Sequence, residues 1–300
     1  MLAIDHRASF RRWAKHGLGL EAPVATLRHL KLLVADALPM VIAAGRNPEE
    51  LAILADTEYG TAAITRAHKV GVRVVVPAER SGMPEFIFEH GNDFAAAITA
   101  SGADVVKALV RYNPSSGDDR NARSRAGLTL LAEWCEKVAL PLMLELLVPP
   151  GAADLDESGH THPDFDDQRR LPLTLSAVSE LREAGMRPQW WKLEGQTDPS
   201  AFSELARSTG AADGETTCLV LGRGAGEPQL LEWIDMAAST VGFSGFAVGR
   251  SLWTGPLEKV LQQRLSAEEA TWQIGQGYLK LINEYERAEM AVPEPGGGAR

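Results

Sequence analysis

Eight short apolar runs, each followed by a stretch with helical spacing, limit what this chain can fold into more than any other feature. The runs are LAID (2–5), LAILAD (51–56), VRVVVP (72–77), ADVVKALVRY (103–112), LPLMLELLV (140–148), PQWWKLEG (188–195), TCLVLGRG (217–224) and GFAVGR (245–250). Between them, segments such as GTAAITRAHKVG, NDFAAAITASG, RSRAGLTLLAEWCEKVA, TLSAVSELREAGM and QLLEWIDMAASTVG repeat their apolar residues at three and four positions, as a helix with one buried face does. A strand that is apolar on both faces belongs in a buried parallel sheet, because helical crossovers cover it. Eight repeats of strand and helix over roughly 250 residues predict a single (β/α)8 TIM barrel of α/β class. The alternative is a doubly wound open sheet, but no GxGxxG follows the first run.

The 300 residues are enough for one large core, and no boundary interrupts the rhythm, so residues 1–290 are expected to form the barrel. The end AVPEPGGGAR (291–300) has lost apolar periodicity and reads as a flexible tail. Two irregular stretches, around 6–24 and 149–170, follow strands and therefore belong to loops on the face where barrel active sites sit. The net charge of −10 works against broad binding to nucleic acid or an anionic membrane. MLAIDHRASFRRW turns charged at Asp5 without an apolar signal-peptide stretch, and no run reaches the roughly 18 apolar residues of a membrane span. Cys135 and Cys218 lie far apart, outside any CxxC spacing, and read as reduced thiols. A cytoplasmic protein is expected.

Polar residues at the carboxyl ends of barrel strands point into the active-site mouth. Here they are Asp5 and Arg7 after the first run, Asp56 and Glu58 after the second, Lys107 and Arg111 on the fourth, and Glu145 on the fifth. Lys192 and Glu194 lie on the sixth, Arg223 ends the seventh and Arg250 the eighth. Lys107 and Arg111 share parity, as do Lys192 and Glu194, so each pair faces one side of its strand. Interior salt bridges are the bland reading of one such charge. Two lysines and a glutamate on three consecutive strands argue against it, because buried ion pairs add little stability.

Chemistry gives them a reason. A partly desolvated lysine beside a second cation loses its proton more readily, and the free amine attacks a ketone to form a Schiff base. In that scheme Lys192 is the nucleophile and Lys107 the neighbouring cation. The protonated imine is an electron sink, so the carbon–carbon bond β to the former carbonyl can break. Glu145 would carry the proton, with Asp5 holding a lysine or a substrate hydroxyl. No cofactor or metal is expected, and activity should survive a chelator.

An anionic handle is also legible. LGRGAGEPQ (221–229) puts Gly222 and Gly224 around Arg223, and GFAVGRS (245–251) puts Gly249 beside Arg250. Barrels often cradle phosphate after these two strands with backbone amides and a helix start, to which an arginine adds a forked cation.

The segments LAIDHRASF, VVKALVRYNP, LMLELLVP, WWKLEG and GFAVGRSLW, in this order and from residue 2 to about 285, resemble the class I Schiff-base aldolases typified by tagatose 1,6-bisphosphate aldolase and sulfofructose-phosphate aldolase. They are most similar to the aldolase module fused to some inositol-pathway kinases, which cleaves 2-deoxy-5-keto-gluconate 6-phosphate. The resemblance implies that Lys192 forms the imine, Glu145 shuttles the proton, and Lys107 and Asp5 complete the cluster. It implies that Arg250 and the turn around Gly222 and Gly224 hold a terminal phosphate or sulfonate. Dihydroxyacetone phosphate would be one product and, on the keto-gluconate branch, malonate semialdehyde the other. Homo-oligomers are common among such aldolases.

Arg111, with Arg169 and Arg170, is a candidate site for a substrate carboxylate, and Arg7 for a further substrate contact. Three other readings remain open. A metal-dependent aldolase would draw on His6, His160 and His162, or on Asp56 and Glu58 for magnesium. A non-catalytic sensor would keep the phosphate pocket alone. Transaldolase-like transfer or keto-acid cleavage would keep the imine and change the product.

Overall fold

The computed structural model describes residues 1–116, 119–156, 161 and 164–291. The expected tail beyond residue 291, together with His160 and His162, lies outside them. All eight runs are strands: β1 (Leu2–Ile4), β2 (Ala52–Ala55), β3 (Arg73–Pro77), β4 (Val105–Arg111), β5 (Leu142–Leu147), β6 (Trp190–Glu194), β7 (Thr217–Leu221) and β8 (Phe243–Ala247). Each pairs in parallel with the next, in sequence order. The sheet closes because Ala3 N donates to Val248 O at 2.7 Å and Val248 N to Met1 O at 3.0 Å. This is the TIM barrel.

Helices follow the strands. Around β1 and β2 these are α1 (Ala8–Leu18), α2 (Val24–Ala35), α3 (Leu38–Ala43) and α4 (Thr61–Lys69). Next come α5 (Phe94–Ser101), α6 (Arg120–Lys137), α7 (Arg170–Glu183) and α8 (Pro199–Thr209). The ring ends with α9 (Glu227–Ala238), α10 (Arg250–Leu261) and α11 (Ala267–Met290). The last helix opens on a reciprocal cap, in which Ser266 Oγ accepts from Glu269 N and the Glu269 carboxylate accepts from Ser266 N. No helix among the described residues is long and apolar enough to cross a membrane.

The barrel interior changes character along its axis, and this positions the site. Ala3, Leu54, Val75, Val105, Met143 and Leu219 form a buried apolar inner layer, with Trp190 packed against it. Two residues further along β4, β5 and β6, the same inward parity carries Lys107, Glu145 and Lys192. The alternate residues Val106, Ala108, Leu144, Leu146, Trp191 and Leu193 face the helices in the outer core. A charged floor therefore sits on an apolar plug.

The stretch expected to be irregular around 6–24 contains the eleven residues of α1. Phe10 and Ala14 form a narrow buried stripe, and Phe10 and Trp13 close on Trp253 of α10 with ring centroids 5.4 and 5.6 Å away. Arg11, Arg12 and Lys15 between them hid that stripe. Within 149–170, a wide helical turn over Phe165–Arg169 leads into α7.

Two glycines mark close approaches. A Cβ on Gly195, directly after β6, would overlap the ring of Trp233 on α9. A Cβ on Gly249 would stand 2.7 Å from the carbonyl of Ala3, across the closing seam.

Candidate active site

Register brings the first two candidate residues together, since Glu145 on β5 is the cross-strand partner of Lys192 on β6. Lys192 Nζ lies 3.0 Å from Glu145 Oε2, and Lys107 Nζ lies 3.0 Å from the same oxygen. Lys107 reaches two further carboxylates, Asp5 Oδ2 at 2.9 Å and Glu79 Oε1 at 2.8 Å. Two ammoniums and three carboxylates thus form one cluster, every member at least mostly withdrawn from solvent.

Its protonation follows from that geometry. Burial disfavours the charge on Lys107, but Asp5, Glu145 and Glu79 outweigh it and hold the ammonium above its ordinary range. Burial also works to raise Glu145 and Asp5, yet facing Lys107 and Lys192 keeps both carboxyls below the usual range. Glu145 is therefore a carboxylate at neutral pH, ready to accept a proton.

Glu79 was not picked out from the sequence. It continues the inward parity of Val75 and Pro77, and that was the available signal, but the strand ends at Pro77. Its second oxygen accepts from Leu109 N at 3.0 Å, and its backbone carbonyl accepts from Arg7 at 2.6 Å. Arg7 is buried and also pairs with Glu89 at 2.7 Å, so its guanidinium braces Glu79 rather than facing the cavity.

Lys31 was missed as well. It is fully buried on α2, donates to the carbonyls of Ile4 (2.7 Å) and His6 (2.8 Å), and pairs with Asp56. The signal was a lysine on the apolar face of LRHLKLLVADAL. It pins the end of β1 that carries Asp5 and His6. Asp56 also accepts from Tyr59 N, so it is committed to structure rather than to magnesium. Among the described residues, no group of three His, Cys, Asp or Glu is arranged to hold a metal ion.

Above the cluster opens a cavity of about 330 Å³. Lys192 and Glu145 form part of its floor. Gly222, Arg223, Gly224, Gly249 and Arg250 line one side, and Arg111 another. Gly249 begins α10 without a side-chain cap, so the first amides of that helix keep no side-chain partner among the described residues. Gly224 takes φ +76°, and a Cβ there would crowd the Arg250 guanidinium at 3.2 Å. Arg250 is exposed, and no carboxylate of the described residues lies within 4 Å of it.

The other arginines differ. Arg223 is held by Glu194 Oε1 at 3.4 Å and by Asp166 at 3.2 Å. Arg170 is buried against Glu194 at 2.8 Å and Asp166, and Arg169 pairs with Asp154 at 3.0 Å. Of the arginines considered for a carboxylate, Arg111 alone lines the cavity, with Nη1 donating to Met83 O at 2.9 Å.

The chain is 25% identical over 281 residues to the tagatose 1,6-diphosphate aldolase of Lactococcus lactis subsp. lactis, a match covering 87% of this chain and 82% of that protein. It is 31% identical over 152 residues to the enzyme of the same name from Listeria monocytogenes serotype 4a, covering 48% of this chain and 41% of the relative. The fold is shared with a fructose-bisphosphate aldolase from Plasmodium falciparum (TM-score 0.64, 13% identity, 98% of this chain and 91% of that one). It is also shared with a Corynebacterium glutamicum protein (TM-score 0.57, 20% identity, 92% and 84%). A family model matches residues 1–289, and the chain belongs to that family, described as "Uncharacterized protein conserved in bacteria (DUF2090)".

Proposed function

We propose that this protein is a class I aldolase, a carbon–carbon lyase that cleaves a phosphorylated keto sugar or keto sugar acid through a Schiff base on Lys192. The observation that carries the reading is the Lys192–Glu145 contact at 3.0 Å on the floor of a cavity that Arg250 and the start of α10 also line. The aldolase relatives support it.

Glu145 takes a proton from the Lys192 ammonium, and the free amine adds to the substrate ketone. The carbinolamine loses its hydroxyl as water, using the proton on Glu145, and leaves a protonated imine. The Glu145 carboxylate then removes the proton of the hydroxyl β to the imine carbon. The carbon–carbon bond breaks, its electron pair flows into the imine to give an enamine, and an aldehyde departs. Protonation of the enamine carbon and hydrolysis release dihydroxyacetone phosphate and free Lys192. Lys107 keeps Asp5 and Glu145 in place as charge moves, and Arg250 with the α10 amides holds the phosphate.

The preferred substrate is 2-deoxy-5-keto-gluconate 6-phosphate, a reading that suits Arg111 as a cavity-lining arginine away from the phosphate side. Tagatose 1,6-bisphosphate is the second reading, favoured by the named relatives. Both cysteines are free and buried, which suits a cytoplasmic enzyme.

The test is borohydride trapping with dihydroxyacetone phosphate, followed by peptide mass spectrometry. An adduct on Lys192 is expected. Bound ligand without an adduct would leave a sugar-phosphate sensor as the better account.

A further inference from the structure

One polar group in the cavity has no role in this chemistry. His6, next to Asp5, lines the cavity together with Lys192 and Arg250. Its backbone carbonyl is fixed by Lys31 and its ring meets that of Trp253 in a T-shaped contact, with centroids 5.6 Å apart at 74°. The absence of a side chain at Gly249 gives the ring its room, since a Cβ there would come within 3.2 Å of His6 Cε1. The backbone anchor and the packing against Trp253 place the imidazole, yet its buried Nδ1 has no hydrogen-bond partner among the described residues.

The Asp5 carboxylate stands close by, with Oδ1 3.8 Å from Nδ1, too far for a hydrogen bond. The other Asp5 oxygen is taken by Lys107, so Oδ1 faces the gap. Burial outweighs the opposing pull of the Asp5 carboxylate and, with Arg250 and Lys192 adding to it, pushes the imidazole down to about 4, so His6 is neutral under ordinary conditions. A neutral ring beside a carboxylate is best placed with its proton on the nitrogen facing that carboxylate. An oxygen about 2.8 Å from both atoms bridges a 3.8 Å gap comfortably. A hydroxyl suits the seat, because it donates to Asp5 Oδ1 and accepts from His6 Nδ1–H.

We propose that Asp5 Oδ1 and His6 Nδ1 form a two-point seat for a ketose hydroxyl, and that His6 is a specificity-determining residue selecting donors with a hydroxyl on the carbon next to the carbonyl. This rests on the Schiff-base reading of Lys192. A site built to bond a hydroxyl rejects the analogue lacking it, because its own polar groups are then left unpaired.

The experiment compares dihydroxyacetone phosphate with hydroxyacetone phosphate, which lacks only that hydroxyl, by the rate at which each is trapped on Lys192 with borohydride. The native enzyme should favour dihydroxyacetone phosphate by on the order of tenfold to a hundredfold, the range for a hydrogen bond to a charged group. His6→Phe should bring the two rates to within a few-fold of each other, and His6→Asn, whose amide reaches toward the Nδ1 position, should keep most of the preference. If His6→Phe does not fold, His6→Leu against His6→Asn decides the same point. Equal trapping of both ligands by the native enzyme, or an undiminished preference in the apolar variants, overturns the seat while leaving the imine intact. Trapping of neither ligand overturns the aldolase reading and the seat with it.

Discussion

Lys192 and Glu145 are register partners on neighbouring strands, with Nζ and Oε2 3.0 Å apart. The contact separates nucleophile from proton carrier in a way that mutation can resolve. Lys192→Ala should abolish both turnover and covalent trapping. Glu145→Gln should still trap ligand, because the amine remains, while turnover falls by about 10²–10⁴, the usual contribution of a positioned acid/base. Activity measured in EDTA should equal that in its absence; loss restored by zinc would sink the imine mechanism.

Lys107 is the hub that keeps three carboxylates together, so its removal should appear in stability before it appears in chemistry. Lys107→Met leaves Asp5, Glu79 and Glu145 facing one another without their shared cation. Breaking a buried pair on one side typically costs about 3–5 kcal/mol. A urea midpoint within error of the native value would show that the carboxylates relax or take up protons at little cost.

Stability should also fall on the acid side in a way these residues control. Asp5 and Glu145 sit below their ordinary range in the folded protein, chiefly because Lys107 and Lys192 overcome the cost of burial. As pH drops below about 4, the unfolded chain takes up protons that the native cluster resists, and protons favour unfolding. The stabilisation is therefore present above that pH and lost below it. Urea midpoints from pH 7 to pH 3 should decline, with a shallower decline in Asp5→Asn. Parallel curves would assign the acid sensitivity to other carboxylates.

Much of this site was legible because parallel strands enforce a period of two. Once Met143 and Trp190 face the plug, Glu145 and Lys192 must face the mouth, and the adjacency of β5 and β6 makes them meet. That rule covers residues inside strands. Glu79 follows Pro77 and the end of β3, so parity still holds in space although the strand that would announce it has stopped. Arg7, Arg170 and Arg223 show a second limit. A basic residue at a strand end or in the loop after it says nothing about the acids that will meet it, and Glu89, Asp166 and Glu194 come from elsewhere in the chain. The short apolar stripe of α1 was hidden by its own charges, and it becomes visible only against Trp253, more than two hundred residues away.

The contrast between Arg250 and Arg223 gives the sharpest check on the phosphate handle. Both line the cavity beside the same glycines, but among the described residues Arg250 has only the Arg223 carbonyl at 3.4 Å as a hydrogen-bond partner, whereas Arg223 is tied to Glu194 and Asp166. Arg250→Ala should raise KM for a phosphorylated substrate by about tenfold to a hundredfold, as loss of a charge-assisted hydrogen bond does, with a smaller change in kcat. In Arg223→Ala the carboxylate of Glu194 keeps Arg170 as a partner, so the loss should fall mainly on the order of the loop around Asp166, with a smaller rise in KM. Steady-state constants for the two variants, measured with the same substrate, decide between the arginines. If Arg223→Ala weakens binding more than Arg250→Ala, then Arg223 must leave its acidic partners when substrate arrives, and the phosphate lies nearer β6 than the start of α10 suggests.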